Sequence, residues 1–140
     1  MAKKEKKVSV MQAVGKRKKA IARATIRKGT GKLLINKRPL ELIDRYRRLR
    51  IEEAVFIGKE VMKDVDINVN VSGGGSWGQI DAARTAIVNA LVNWSKSPDL
   101  RQFYLDYDRS MLISDHRRTE PHKPSRSSAG PRRGKQQSKR

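Results

Sequence analysis

Apolar and polar residues alternate in several short blocks of this chain, and then give way to a longer helical rhythm. Val8 to Val14 reads as a strand. Ala20 to Arg27 reads as a second, with Ala20, Ala22, Ala24 and Ile26 on one side and Ile21, Arg23, Thr25 and Arg27 on the other. A basic block, Lys16 to Lys19, lies between them. Lys28 to Gly31 carries two glycines and reads as a turn, and Leu33 to Ile35 as a short third strand. Pro39 is expected to open a helix at its first position, with Leu40 and Ile43 inside it. A second helix is expected from about Ile51 to Lys59. Asp66 to Ser72 alternates cleanly, as a strand with one buried face does. Gly73, Gly74 and Gly75 end it. Gln79 to Trp94 has the strongest helical period, with Ile80, Ala83, Ile87, Leu91 and Trp94 on one stripe. Ser97 and Pro98 cap and start a last helix, Asp99 to Tyr107. Strands and helices in this order predict an α+β fold: one sheet with helices packed on it, in two layers.

Charge divides the 140 residues differently. Residues 1–38 hold 14 Lys and Arg against Glu5 alone, residues 39–115 hold 10 against 12 acids, and residues 116–140 hold nine against Glu120 alone. A near-neutral centre is thus flanked by two cationic ends in a chain of net charge +19. So much like charge opposes compaction unless a polyanion screens it, and nucleic acid is the polyanion expected. A membrane surface would call for an apolar face beside the basic runs, which they lack. No apolar run is long enough to span a bilayer, and the N-terminus has no signal-peptide core. With no cysteine there is no disulfide, thiolate nucleophile or cysteine-held metal, and a cytoplasmic address follows.

The organisation expected is a flexible basic extension over 1–7, a globular domain over 8–115 and an extended basic tail over 116–140. Between His116 and Arg140 the only aliphatic side chain is Ala129, while Pro121, Pro124, Pro131, Gly130 and Gly134 interrupt regular structure. Such a segment buries too little apolar surface to order itself unaided. Fully extended, it would reach roughly 80 Å at about 3.3 Å per residue.

Candidate chemistry is sparse. Gly73, Gly75 and Gly78 fit the dinucleotide fingerprint between a strand and a helix, but no second parallel strand with a terminal acid follows Trp94. The plainer reading is a tight strand-to-helix turn that lets another backbone come close. Its free N–H groups are also suited to an RNA phosphate. A Walker loop would need Lys and Ser or Thr after Gly78, where Gln79 stands. His116 and His122 are poorly spaced for a metal. Asp106 and Asp108 read as surface carboxylates, and Glu52 and Glu53 as an exposed helix face. Trp77 is expected to pack under the glycine turn, with base stacking as the alternative, and Trp94 to lie in the core. No nucleophile, base and orienting group can be assembled. No enzyme activity, cofactor, metal or small-molecule substrate is therefore expected. Equilibrium dialysis with NAD or ATP tests the rival nucleotide-enzyme reading. A free nucleic-acid chaperone is the other rival, and it would need the same cations but no partner-specific domain.

Gly73, Gly75, Gly78, Gln79, Ala82 and Ala86 stand in the spacing of a ribosomal signature, and the chain resembles the small-subunit ribosomal protein 9 family. Val14 to Ala24, Gly29 with Gly31 and Lys32, Ile35 with Asn36, and Arg38 to Leu40 follow in the family's order. The closing Ser138, Lys139 and Arg140 are similar to its terminus. Tyr107 to Ser110 and Asp115 to Arg118 resemble the archaeal and eukaryotic branch. Asn89 stands where bacterial members have a basic residue, so no RNA contact is carried over there. The resemblance implies a two-layer α/β sandwich like the second domain of ribosomal protein 5, seated on small-subunit (16S/18S-type) rRNA in the head, beside neighbouring ribosomal proteins. It also implies a tail that reaches the anticodon stem-loop of P-site tRNA, through Lys139 and Arg140. The rRNA contacts expected are Lys16, Arg17, Lys18, Lys19, Arg23, Arg27 and Lys28 around the first two strands, and Gly73, Gly75, Gly78 and Gln79 at the glycine turn. In the tail they are Arg117, Arg118, Arg126, Arg132, Arg133 and Lys135.

Overall fold

A computed structural model describes residues 10–121. The expected 1–7 extension, the start of the first strand at Val8, His122 and the rest of the expected tail lie outside the described residues.

Five strands form one sheet in the order β1-β2-β5-β3-β4. They are β1 (Val10–Arg17), β2 (Ala20–Lys28), β3 (Leu33–Ile35), β4 (Arg38–Pro39) and β5 (Val65–Ser72). β1 pairs antiparallel with β2, and β2 with β5; β3 runs parallel to β5 and antiparallel to β4. The helices are α1 (Arg45–Ile57), α2 (Lys59–Met62), α3 (Ser76–Ser95) and α4 (Pro98–Asp108). α3 packs directly on one face of the sheet with α2 beside it, and α1 and α4 pack against α3. Ala22, Ala24, Ile26, Val65, Ile67 and Val69 are buried there against Ala83, Ile87 and Leu91 of α3. A second cluster, with Tyr104, Ala54, Val88 and Met111, joins α4 to α1 and α3. No helix among the described residues is long and apolar enough to cross a membrane.

The sheet meets α3 through small side chains. Ala13, Ala20, Ala22 and Ala24 on the strands face Ala82, Ala83 and Ala86 on the helix, all buried. Gly15 marks the closest approach: a Cβ there would lie 2.1 Å from the Ala82 carbonyl oxygen and 2.6 Å from the Ala86 amide nitrogen. At the other end of the same contact, Gly73 and Gly74 adopt φ of +78° and +66°. A Cβ on Gly73 would come within 2.5 Å of the Lys19 carbonyl oxygen. The glycine turn thus lies against the tip of the β1–β2 hairpin, as a close backbone approach requires.

The boundaries depart from the periodicity in four places. β1 runs on through Lys16 and Arg17, so only Lys18 and Lys19 make the turn, with Lys18 left-handed at φ 53°. Pro39 opens no α-helix and only caps a short 3-10 turn. Asn36 and Lys37, at φ 48° and 65°, form a two-residue hairpin turn, and Pro39 falls in the edge strand β4, where its missing N–H is tolerated. A single 3-10 turn, Leu40–Leu42, follows. α1 begins at Arg45, well before Ile51, because its first turns are polar and show no apolar stripe. α3 begins at Ser76, inside the glycine motif, since Gly75 already has the extended geometry of a helix cap. The last helix starts as expected: Pro98 is its first residue, and the Ser97 hydroxyl accepts from the Leu100 amide at 3.4 Å.

Candidate nucleic-acid interface

The face of the sheet away from the helices is solvent-exposed and mixes cationic and polar side chains with exposed Val10 and Val14, and its register sets the side chains in rows. Arg23 lies between Val14 and Asn70, Thr25 between Gln12 and Asn68, and Arg27 between Val10 and Asp66. Lys16 stands opposite Ile21 on the same face. Beyond β5, Lys32, Leu34 and Lys37 help close a shallow groove of about 300 Å3 with Thr25, Arg27 and Asn68. Asp66 is the one acid on this groove. The amides of Thr30 (2.9 Å) and Lys32 (3.0 Å) donate to it and hold its carboxyl below its ordinary range, helped by the Arg27 charge at 3.9 Å. Lys16, Lys18, Lys19, Arg23 and Lys28 have no carboxylate partner among the described residues. Exposed cations without an internal counter-ion are free to meet an external one.

The hairpin tip and the glycine turn form one surface. Arg17 and Lys18 line a pocket of about 310 Å3 with Gly75, Ser76, Trp77 and Gly78. Gly75 itself is unobstructed: a Cβ there would meet nothing within 4 Å. Its neighbours Gly73 and Gly74 are demanded by the fold, but Gly75 is not. The Gln79 amide is engaged locally, donating from Nε2 to the Gly73 carbonyl at 3.1 Å. Trp77 is 54 % exposed and does not pack under the turn. The turn closes directly on Lys19 and Ala20, leaving no space beneath it, and the early start of α3 places the indole beside Lys18. Trp94 is half-buried and packs against the core.

Several acids are consumed internally. The Arg84 side chain, 5 % exposed, donates from Nη2 to Glu53 and to Asp108, each at 3.1 Å. The Tyr107 hydroxyl donates to Glu53 at 2.7 Å. Glu53 and Asp108 therefore bind α1 and the end of α4 to α3 rather than presenting free carboxylates. Burial pushes the Asp108 carboxyl up, but hydrogen bonds from Ser110 and Arg84 outweigh it and leave a net lowering. Asp106 accepts from Gln102 at 2.7 Å. Asn89 turns inward and donates to the Leu112 carbonyl at 3.3 Å. None of the Arg84 pairs was legible in the spacing. The signal lies in the almost unbroken apolar run of α3 from Ala82 to Val92, which marks a helix buried on all sides and so forces Arg84 to find partners.

Where the tail begins, Asp115 gathers cations. Arg17 of β1 donates to it, and so do the Arg117 amide (2.8 Å), Nε (2.8 Å) and Nη2 (2.6 Å). The Arg117 bonds, with the help of Arg17, hold Asp115 well below the usual carboxylate range. Arg118 turns back onto the carbonyls of Asp115 (3.0 Å) and Arg117 (2.9 Å). The structure thus brings Lys16, Arg17, Lys18, Lys19, Arg23, Arg27 and Lys28 onto one hairpin, sets Gly73, Gly75, Gly78 and Gln79 against its tip, and leads Arg117 and Arg118 away from the same corner. Arg126, Arg132, Arg133, Lys135, Lys139 and Arg140 lie outside the described residues. Lys32 and Lys37 on the groove, and Arg50 near Asp81, are cations at this surface that the sequence reading did not include.

The family model described as "Ribosomal protein S9/S16" matches residues 15–140. "Small ribosomal subunit protein uS9" of Methanococcus vannielii is 48% identical over 134 residues, which cover 95% of this chain and 100% of that protein. The proteins of the same name from two Methanococcus maripaludis strains, C5 and S2, are also 48% identical with the same coverage. Relatives of this kind agree with the archaeal and eukaryotic branch to which Tyr107 to Ser110 and Asp115 to Arg118 pointed. A match of this length, on a chain whose glycine signature is seated against a cationic hairpin, places it: the chain belongs to the ribosomal protein S9/S16 family and is a ribosomal protein, not an enzyme.

Proposed function

We propose that this chain is a structural constituent of the small ribosomal subunit, working in the cytoplasm, where it binds small-subunit rRNA in the head and reaches P-site tRNA with its tail. The observation that carries the reading is the hairpin surface. Five cations without a carboxylate partner among the described residues lie along the hairpin, whose tip meets an unobstructed glycine at a helix start, in a family of ribosomal proteins. Lysines and arginines placed this way position a phosphate backbone without reading its sequence. Backbone N–H groups at the start of α3 add anion-binding capacity. Trp77, exposed beside Lys18, offers a ring on which an unpaired base can stack. The tail supplies nine more Lys and Arg among 25 residues, ending in Lys139 and Arg140. An arginine such as Arg140 can fork onto phosphate oxygens of any tRNA, which suits a site visited by many different tRNAs. The outer face of α1 and α4 exposes Leu49, Phe56, Phe103 and Tyr107 and suits neighbouring ribosomal proteins rather than RNA.

Reconstitution of small subunits with the full chain tests this. Co-sedimentation with the particle through moderate salt is expected, and release at low salt would refute the rRNA role. Removal of Lys139 and Arg140 is expected to weaken P-site tRNA binding while leaving assembly intact. Unchanged tRNA affinity in low-salt particles would refute the tail's role. With purified rRNA, log K should fall with log salt at about 0.7 to 0.9 per phosphate contact.

A further inference from the structure

At the root of the tail lies a pocket of about 200 Å3, distinct from the groove on the sheet. On the same measure a single water needs only about 10–15 Å3. The end of β1, α1, α3 and the segment after α4 all contribute walls. Lys16, Arg17, Arg50, Arg84 and Arg117 supply five cations, against the two carboxylates of Asp81 and Asp115. Thr85 and Ser110 add hydroxyl groups. Asp81 is shared by Arg50 at 3.4 Å and Arg17 at 3.9 Å. Arg84 is only 4 % exposed, and its Nε is buried with no hydrogen-bond partner among the described residues. Arg84 is already paired with Glu53 and Asp108, so Lys16, Arg17, Arg50 and Arg117 face Asp81 and Asp115 with an excess of positive charge that suits an anion.

We propose that this pocket takes one backbone phosphate of structured RNA, and that Asp115 fills the position in the free protein as an internal substitute for that phosphate. Asp115 accepts from Arg17 and three times from Arg117, the fork geometry a phosphate would also use. An incoming phosphate takes over Arg17 and meets Arg50 and Lys16. Asp115, repelled by the same charge, leaves. The docking of the phosphate and the departure of Asp115 are then one linked equilibrium, in which each favours the other by the same factor. This rests on the rRNA-binding reading above and adds to it a site and an order of events.

The test uses the full chain and a transcript of small-subunit rRNA, with Asp115→Asn and Arg50→Gln as variants and inorganic phosphate as a second probe. Asp115→Asn removes the substitute's charge while keeping its shape. It is expected to bind the transcript roughly fivefold tighter or more, the low end of coupling between linked sites. Arg50→Gln, at an exposed position that need not disturb folding, is expected to weaken binding and to lower the salt slope by about one contact. Wild-type RNA binding with both variants indistinguishable from it would overturn the pocket and leave the rRNA reading standing. No RNA binding by the wild type would sink that reading, and the pocket with it. Saturable shifts of the Arg17 and Arg117 Nε–H signals with inorganic phosphate, with RNA affinity unmoved by either variant, would assign the pocket to the free ion and overturn the proposal.

Discussion

Replacing Gly15 with alanine adds one methyl group where the sheet and α3 meet most closely. That carbon would lie 2.1 Å from the Ala82 carbonyl oxygen, 2.6 Å from the Ala86 amide nitrogen and 3.0 Å from the Thr85 Cβ. Two of the three atoms are backbone of a 20-residue helix, so no side chain can swing aside. The helix must move outward, and Ala82, Ala83 and Ala86, all fully buried, would lose their contacts together. Overpacking of this kind costs about 1–3 kcal/mol, and a clash with rigid backbone belongs at the upper end. Alanine also narrows the unfolded ensemble, which returns about 0.4–1 kcal/mol. The net expected is a loss of about 2 kcal/mol, or roughly 8 °C in Tm at about 4 °C per kcal/mol. Thermal unfolding followed by circular dichroism measures it. A Tm within 1–2 °C of wild type (about half a kcal/mol or less on the same scale) would refute the close β1–α3 contact.

Gly75→Ala is the converse case. With open space around it and an ordinary backbone at φ −94°, it should cost under about 1 kcal/mol of stability while weakening rRNA binding in a filter assay. Equal affinity would argue against a phosphate at that helix start. Arg84→Met leaves Glu53 and Asp108 facing each other without their shared donor; since both are about a third exposed, a loss of roughly 1–3 kcal/mol in urea unfolding is expected. In acid, Asp66 and Asp108, both held below their ordinary values, contribute stability that is fully present above about pH 4. That contribution drains away as pH falls through their lowered values, and Asp66→Asn should flatten the acid limb of a Tm–pH curve. In base, burial keeps the Tyr104 hydroxyl, which donates to the Ala54 carbonyl at 2.7 Å, protonated well above pH 10. Absorbance titration should therefore show one tyrosine ionising only as the protein unfolds.

The parts of the fold that could be read from the chain were those where one face is buried and the other is not. β5, with Val65, Ile67, Val69 and Val71 inward, and β2 with its alanines, follow the alternation that predicted them. The first turns of α1 could not be read, because residues 45–50 are mostly cationic and exposed and carry no apolar stripe, whereas its second half lies in the helix expected from Ile51. The Asn36 and Lys37 turn was also hidden, since its left-handed geometry is held from outside: the Asn36 side chain accepts from the Val71 amide at 2.8 Å and donates to the Val71 carbonyl at 3.2 Å. The cationic hairpin was visible in composition. The pairing of Arg17 with Asp115 was not, because 98 residues separate the partners. No local rule reaches that far.

Three of the four non-glycine residues with left-handed backbone among those described are lysines: Lys18, Lys37 and Lys96. Glycine would relieve roughly 1–2 kcal/mol of steric cost at each. At two of these tips, Lys18 beside the glycine turn and Lys37 on the sheet groove, the chain keeps a charged, strained residue where an easier one was available. The isolated domain is consequently less stable than its topology allows, and Lys18→Gly should raise its melting point. The same change should cost it grip on a polyanion, so that the best-folded version of this protein would not be the best-working one.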